Sequence, residues 1–143
     1  GGVMGIADNF GMAFAKAQAA ADGTRPLEGA VFITVNEHDK DTVTPIARRL
    51  HALGFRIYAT EGTARHLRIR GVPAERVLKV HQGRPNAVDL LLSGKIQLLI
   101  NTPTRTGWQT DEGKIRSATV RIGVPMITTI TGAAAAAVMP RAS

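Results

Sequence analysis

From Gly29 onward, apolar and polar positions along the chain alternate between two rhythms. Ala30 to Val35 is a nearly unbroken apolar run, as expected of a strand covered on both faces. Val43, Ile46, Ala47, Leu50 and Leu53 then recur at helical spacing, which predicts a helix capped by Asp39 and closed by Gly54. Phe55 to Ala59 is the next strand, Ala64 to Arg70 a short helix ended by Gly71, and Val77 to Val80 a short strand. Asn86 to Ser93 is a helix stopped by Gly94, and Ile96 to Ile100 a strong strand. A polar loop over 101–112, a helix over 112–122, a short strand over 125–128 and an alanine-rich helix over 131–139 complete the pattern. Strands and helices in alternation predict an α/β fold with three layers. About five strands form a mostly parallel, doubly wound sheet with helices on both faces.

Residues 1–25 stand apart. Phe10, Phe14 and Ala17 mark an apolar helical stripe that Asp8 can cap. Asp22 to Pro26 then reads as a linker. The expected division is therefore an N-terminal helix and linker over 1–25 and a single α/β domain over 26–143, a usual domain size.

Composition narrows the possible functions. There is no cysteine, so no disulfide framework and no thiolate metal site. The four histidines lack metal-ligand spacing. No run reaches the roughly 20 apolar residues of a membrane-spanning helix, and no signal-peptide pattern opens the chain. A reducing cytoplasm is the compartment these features fit. Lysine and arginine exceed aspartate and glutamate by 18 to 11, a net charge of +7, which calls for an anionic partner. Only 4% of residues are aromatic, a poor supply for stacking on single-stranded nucleic acid. Many of the arginines, Arg48, Arg49, Arg65, Arg68 and Arg70 among them, read as a solvated helix surface.

In parallel α/β folds, ligands sit beyond the carboxyl ends of the strands. Four such ends carry polar groups: Thr34 with Lys40, Thr60 to Thr63, Lys79 to Pro85, and Asn101 to Thr104. The turn Thr60-Glu61-Gly62-Thr63 runs from strand straight into helix, where free backbone N–H groups and the helix dipole favour a phosphate. Lys40 and Lys79 supply countercharge. Read one by one, Thr60 or Thr63 can equally be a simple helix cap. The convergence with two lysines favours a site. His81 can serve a ligand or be an ordinary loop residue, and Trp108 can close over a base or anchor its loop. Asp89 reads as a surface position.

Several segments resemble the C-terminal domain of the carbamoyl phosphate synthase large subunit, a member of the methylglyoxal synthase-like group. They are Val3-Met4-Gly5-Ile6 with Ala13 to Gln18, Thr34 to Lys40, Ala59 to Ala64, Lys79 to Pro85, Ile100-Asn101-Thr102 and Ile115 to Ala118. The resemblance implies an allosteric, not catalytic, domain that binds UMP or IMP. Lys40, Thr60, Thr63 and Lys79 would hold the nucleotide phosphate, and Thr34, Asn101 and Thr102 the ribose and base region. Thr128 matches an ornithine-side contact of one branch, where Met126 replaces a tyrosine. Pro103 replaces a nucleotide-contacting threonine. The resemblance also implies a parent ATP-dependent, glutamine-hydrolysing ligase of pyrimidine and arginine biosynthesis. That parent uses magnesium or manganese and potassium, and its partners are the synthetase domains and a glutaminase small subunit. No cofactor, metal, nucleic acid or membrane is expected for this domain.

Two other readings were weighed. A methylglyoxal synthase-type lyase needs a carboxylate base at the phosphate, and the loops after the third and fourth strands contain none. A basic nucleic-acid-binding module lacks any recognisable binding motif.

Overall fold

The apolar run Ala30–Thr34 forms β1, the middle strand of a five-stranded sheet in a computed structural model that describes residues 29–103 and 110–137. The N-terminal helix, the linker and Trp108 lie outside the described residues. Both neighbours of β1 are parallel to it. β2 (Arg56–Thr60) pairs Phe32 with Tyr58, and β4 (Ile96–Asn101) pairs Thr34 with Asn101. β3 (Glu75–Val77) and β5 (Met126–Ile127) are the outer strands, giving the order β3-β2-β1-β4-β5. The chain winds outward on one side of β1, returns, and winds outward on the other. The switch point therefore falls between β1 and β4, where such folds open a crevice.

Because successive side chains of a strand face opposite ways, β1 feeds two cores. Val31 and Ile33 point into one, with α1 (Lys40–Ala52), α2 (Glu61–Ile69) and α5 (Ile130–Ala137). Ala30 and Phe32 point into the other, with α3 (Ala87–Leu92) and α4 (Thr110–Ile122). Phe32, Ile33, Leu98, Leu99 and Ile100 are all fully buried, so β1 and β4 have no solvent-facing side. The three-layer arrangement expected from the sequence is the one observed.

Local chemistry moves several boundaries. Asp39 does not cap α1: its backbone is already helical and its side chain makes no capping bond. Asn36 does the work one turn earlier, accepting from the Asp39 N–H at 3.0 Å above a 3₁₀ turn at Glu37–Asp39 that runs into the helix. α2 begins at Glu61 rather than Ala64, directly after β2. β3 ends at Val77, since Val80–Gln82 curls into a second 3₁₀ turn. There Gln82 Oε1 accepts from the Lys79 N–H at 2.8 Å. α4 starts at Thr110 instead of residue 112.

Candidate functional site

The carboxyl ends of the three inner strands are tied together by side chains. Thr60, at the end of β2, donates its hydroxyl to the Thr34 hydroxyl at 3.1 Å. Asn101, at the end of β4, donates its amide to the Thr34 carbonyl at 3.2 Å. From α4, Arg116 Nε donates to Asn101 Oδ1 at 3.2 Å. One residue further out, the Asn36 N–H donates to Thr102 Oγ1 at 3.0 Å, and the Asn36 amide to the Pro103 carbonyl at 2.8 Å. Thr60, Thr63, Asn101 and Thr102 are all buried. Polar groups persist at such depth when they find partners, and these partners lie across the strand ends.

The turn between β2 and α2 has the form that an anion needs. Thr60 occupies the cap position with extended backbone, yet its hydroxyl makes no bond to the helix. Thr63, one turn in, accepts from the Val35 N–H at 3.5 Å. Neither threonine is therefore a helix cap, and the first N–H groups of α2 receive no side-chain cap from Thr60. Lys40 supplies charge at this point. A Cβ on Gly62 would lie 3.0 Å from its ammonium, so that ammonium rests directly on the first turn of α2. Glycine leaves the room that this approach requires. The Lys40 side chain is 15% exposed.

The first turn of α1 is pinned to α2. Asp41 Oδ1 lies 2.9 Å from His66 Nε2 and 3.4 Å from Arg70 Nη2. These contacts of an exposed carboxylate link the residue after Lys40 to the helix that carries Gly62. Lys79 follows the end of β3, whose Val77 pairs with Thr60, and it is exposed. Lys40, Thr60, Thr63 and Thr34 thus gather at one corner, with Lys79 on the adjoining strand end and Asn101 and Thr102 on the other side of β1. Thr128 lies past β5, two strands from β1 on the far side from Thr60.

The sequence reading missed Glu37. Its carboxylate pairs with the Lys40 ammonium and is itself 83% exposed. The hydrogen bond from Lys40, then its charge, holds the Glu37 carboxyl below the usual range, which makes it a poor proton acceptor. The signal was present as an acid three residues before a lysine, but the spacing reads as a surface helical pair. Glu61, the acid at the start of α2, is drawn to Arg76 at 3.2 Å. Asp89 pairs with Arg84 at 2.6 Å and accepts from the Asn86 N–H at 2.9 Å, which closes a capping box on α3.

A cleft of about 410 Å³ opens between α3 and α4 and begins at Val80, one residue past Lys79. Val88, Leu92 and Ala118 give it apolar walls, and Lys114 and Arg121 line it with positive charge. Among the described residues no group of histidine, aspartate and glutamate could hold a metal ion. No helix among them is long and apolar enough to cross a membrane.

Comparison with known proteins gives the family and the fold. The model of the MGS-like domain matches residues 42–128, which include Thr60, Thr63, Lys79, Asn101 and Thr102. The chain is 50% identical over 136 residues to the carbamoyl phosphate synthase large chain of Gemmatimonas aurantiaca, covering 95% of this chain and 12% of that one. It is 53% identical over 137 residues to the same protein of Acidobacterium capsulatum, covering 96% and 12%. It is 51% identical over 137 residues to the C-terminal section of the Methanopyrus kandleri large chain, covering 95% and 25%. The chain therefore spans between about an eighth and a quarter of these relatives. In fold it is similar to methylglyoxal synthase from Elizabethkingia anophelis, with a TM-score of 0.63, 18% identity and 80% of each chain covered. Sequence likeness shows the family and the fold agrees with it: the chain belongs to the MGS-like domain family, in the form carried at the C-terminal end of carbamoyl phosphate synthase large chains.

Proposed function

We propose that this domain is an allosteric sensor that binds UMP or IMP by its phosphate and performs no chemistry itself. One observation carries the reading: the first turn of α2 lacks a side-chain cap from Thr60 while the Lys40 ammonium rests on Gly62. Backbone donors, a helix dipole and a fixed cation at one point suit a phosphate dianion. Thr60 and Thr63 add hydroxyls, and Lys79 brings a second cation from the neighbouring strand end. Thr34, Asn101 and Thr102 face the ribose, and the cleft that begins at Val80 takes the base between apolar walls. Glu37, held ionised by Lys40, does not serve as a general base.

The parent protein would be the cytoplasmic ATP-dependent ligase that forms carbamoyl phosphate for pyrimidine and arginine synthesis. Its ATP, magnesium or manganese, and potassium belong to the synthetase domains, and its glutamine chemistry to a small subunit. A nucleotide biases that body only by binding two of its states unequally. Ornithine regulation through Thr128 is a separate arm. Calorimetry tests the phosphate anchor directly. UMP should bind at least tenfold more tightly than uridine, and equal affinities would refute it. Methylglyoxal formed from dihydroxyacetone phosphate by the pure protein would refute the non-catalytic assignment.

A further inference from the structure

Asn101 is 3% exposed, and its side-chain amide is held at both ends. Arg116 Nε reaches Oδ1 at 3.2 Å, and Nδ2 reaches the Thr34 carbonyl at 3.2 Å. A guanidinium has donors only and a carbonyl is an acceptor only. The two contacts therefore fix which end of the amide is oxygen and which is nitrogen, and a flipped amide would set donor against donor and acceptor against acceptor. Among the described residues, the Thr34 carbonyl uses one of the two N–H bonds on Nδ2. Any further bond from this end of the amide is one in which the nitrogen donates.

We infer that Arg116 is a positioning residue that sets the polarity of Asn101, so that the ribose side of the site recognises a hydrogen-bond acceptor. This inference rests on the nucleotide reading above and deepens it. Arg116 stands on α4, whereas the phosphate corner is built from Lys40, Thr60 and Thr63 on the opposite side of β1. Disturbing Arg116 should thus affect the nucleoside part of a ligand and spare its phosphate. The neighbouring residues of α4, Lys114, Ser117 and Ala118, line the cleft, so the helix that orients Asn101 also walls the base region.

The experiment compares the intact protein with its Arg116→Met and Arg116→Lys variants. Labelled UMP is titrated, and inorganic phosphate is then used to displace it, which reads the phosphate affinity of this site alone. Arg116→Met should weaken UMP by about tenfold, the size of one lost hydrogen bond to a charged or fixed partner. The phosphate displacement constant should stay within twofold, and Arg116→Lys should recover most of the UMP affinity. UMP binding unchanged in Arg116→Met would overturn the inference, as would equal losses for UMP and phosphate. Unfolding midpoints of Arg116→Met, Asn101→Ala and the double variant supply a readout without ligand. Additive shifts would mean the two side chains are not coupled and would also overturn it. Wild-type protein that fails to bind UMP while the midpoints show coupling would instead overturn the nucleotide reading.

Discussion

Replacing Thr63 by valine removes one oxygen from the proposed phosphate corner and puts a methyl group in its place. The side chain is 2% exposed, and valine keeps its branched shape. Among the described residues the hydroxyl accepts one bond, from the Val35 N–H at 3.5 Å. The bond is long, but its loss leaves the buried Val35 N–H without this acceptor, so the stability cost is about 1–3 kcal/mol. Against a bound phosphate dianion the same hydroxyl makes a charge-assisted bond worth about 1.5–3 kcal/mol. Affinity for UMP should therefore fall by roughly 10- to 150-fold, since each 1.4 kcal/mol is a factor of ten. Calorimetry with UMP reads this, and a thermal melt beside it shows the fold intact. Thr63→Ser restores the oxygen and should return most of the affinity. If the valine variant still melts cooperatively and binds UMP as tightly as wild type, Thr63 does not touch the phosphate, and the corner at α2 is not the anion site.

Three further outcomes follow from neighbouring contacts. Glu37→Gln frees Lys40 from its counter-ion and should tighten phosphate and UMP roughly two- to fivefold, the scale of an exposed ion pair; weaker binding in a phosphate titration would show that Glu37 helps rather than competes. Asn86→Ala removes the cap of α3 together with a bond to the Gly83 carbonyl, and should cost about 1–2 kcal/mol in urea unfolding with little change in UMP affinity; a loss below about 0.3 kcal/mol would contradict the capping role. The Arg84 hydrogen bond, with the Asn86 N–H second, holds the Asp89 carboxyl below the ordinary carboxylate value. The stability this carboxyl contributes is present above about pH 4 and is lost as pH falls through the lower folded value. Wild type and Asp89→Asn should therefore differ at neutral pH and converge near pH 2, and parallel acid-unfolding curves would rule the linkage out.

The sequence was most informative where one physical signal dominated. Ala30 to Val35 could only be a strand buried on both faces, and strand–helix alternation left a parallel sheet as the natural outcome. The strand-end rule then singled out Thr34, Lys40, Thr60, Thr63, Lys79 and Asn101, and five of these sit on the three inner strand ends or the turns that leave them. Partner choice was less legible. Both Asn36 and Asp39 are good caps by residue type, and only the 3₁₀ turn between them decides that Asn36 bonds and Asp39 does not. Thr60 and Thr63 were open to a capping role because a one-dimensional pattern cannot show that Thr34 and Val35 stand across the sheet to claim their hydroxyls. Arg116 was hidden for the same reason, since 15 residues separate it from Asn101.

On the proposed function, the belt from Thr60 through Thr34 to Asn101 bears on how the domain would report a ligand. Its members hold one another, anchored on strands with no wet face. A hydroxyl has one proton to donate, so a phosphate that drew on Thr60 would take that donor from Thr34. On that reading the signal would start from this exchange of partners, and the exposed Lys79 turn and the α3–α4 cleft are where a bound base would have something to push against.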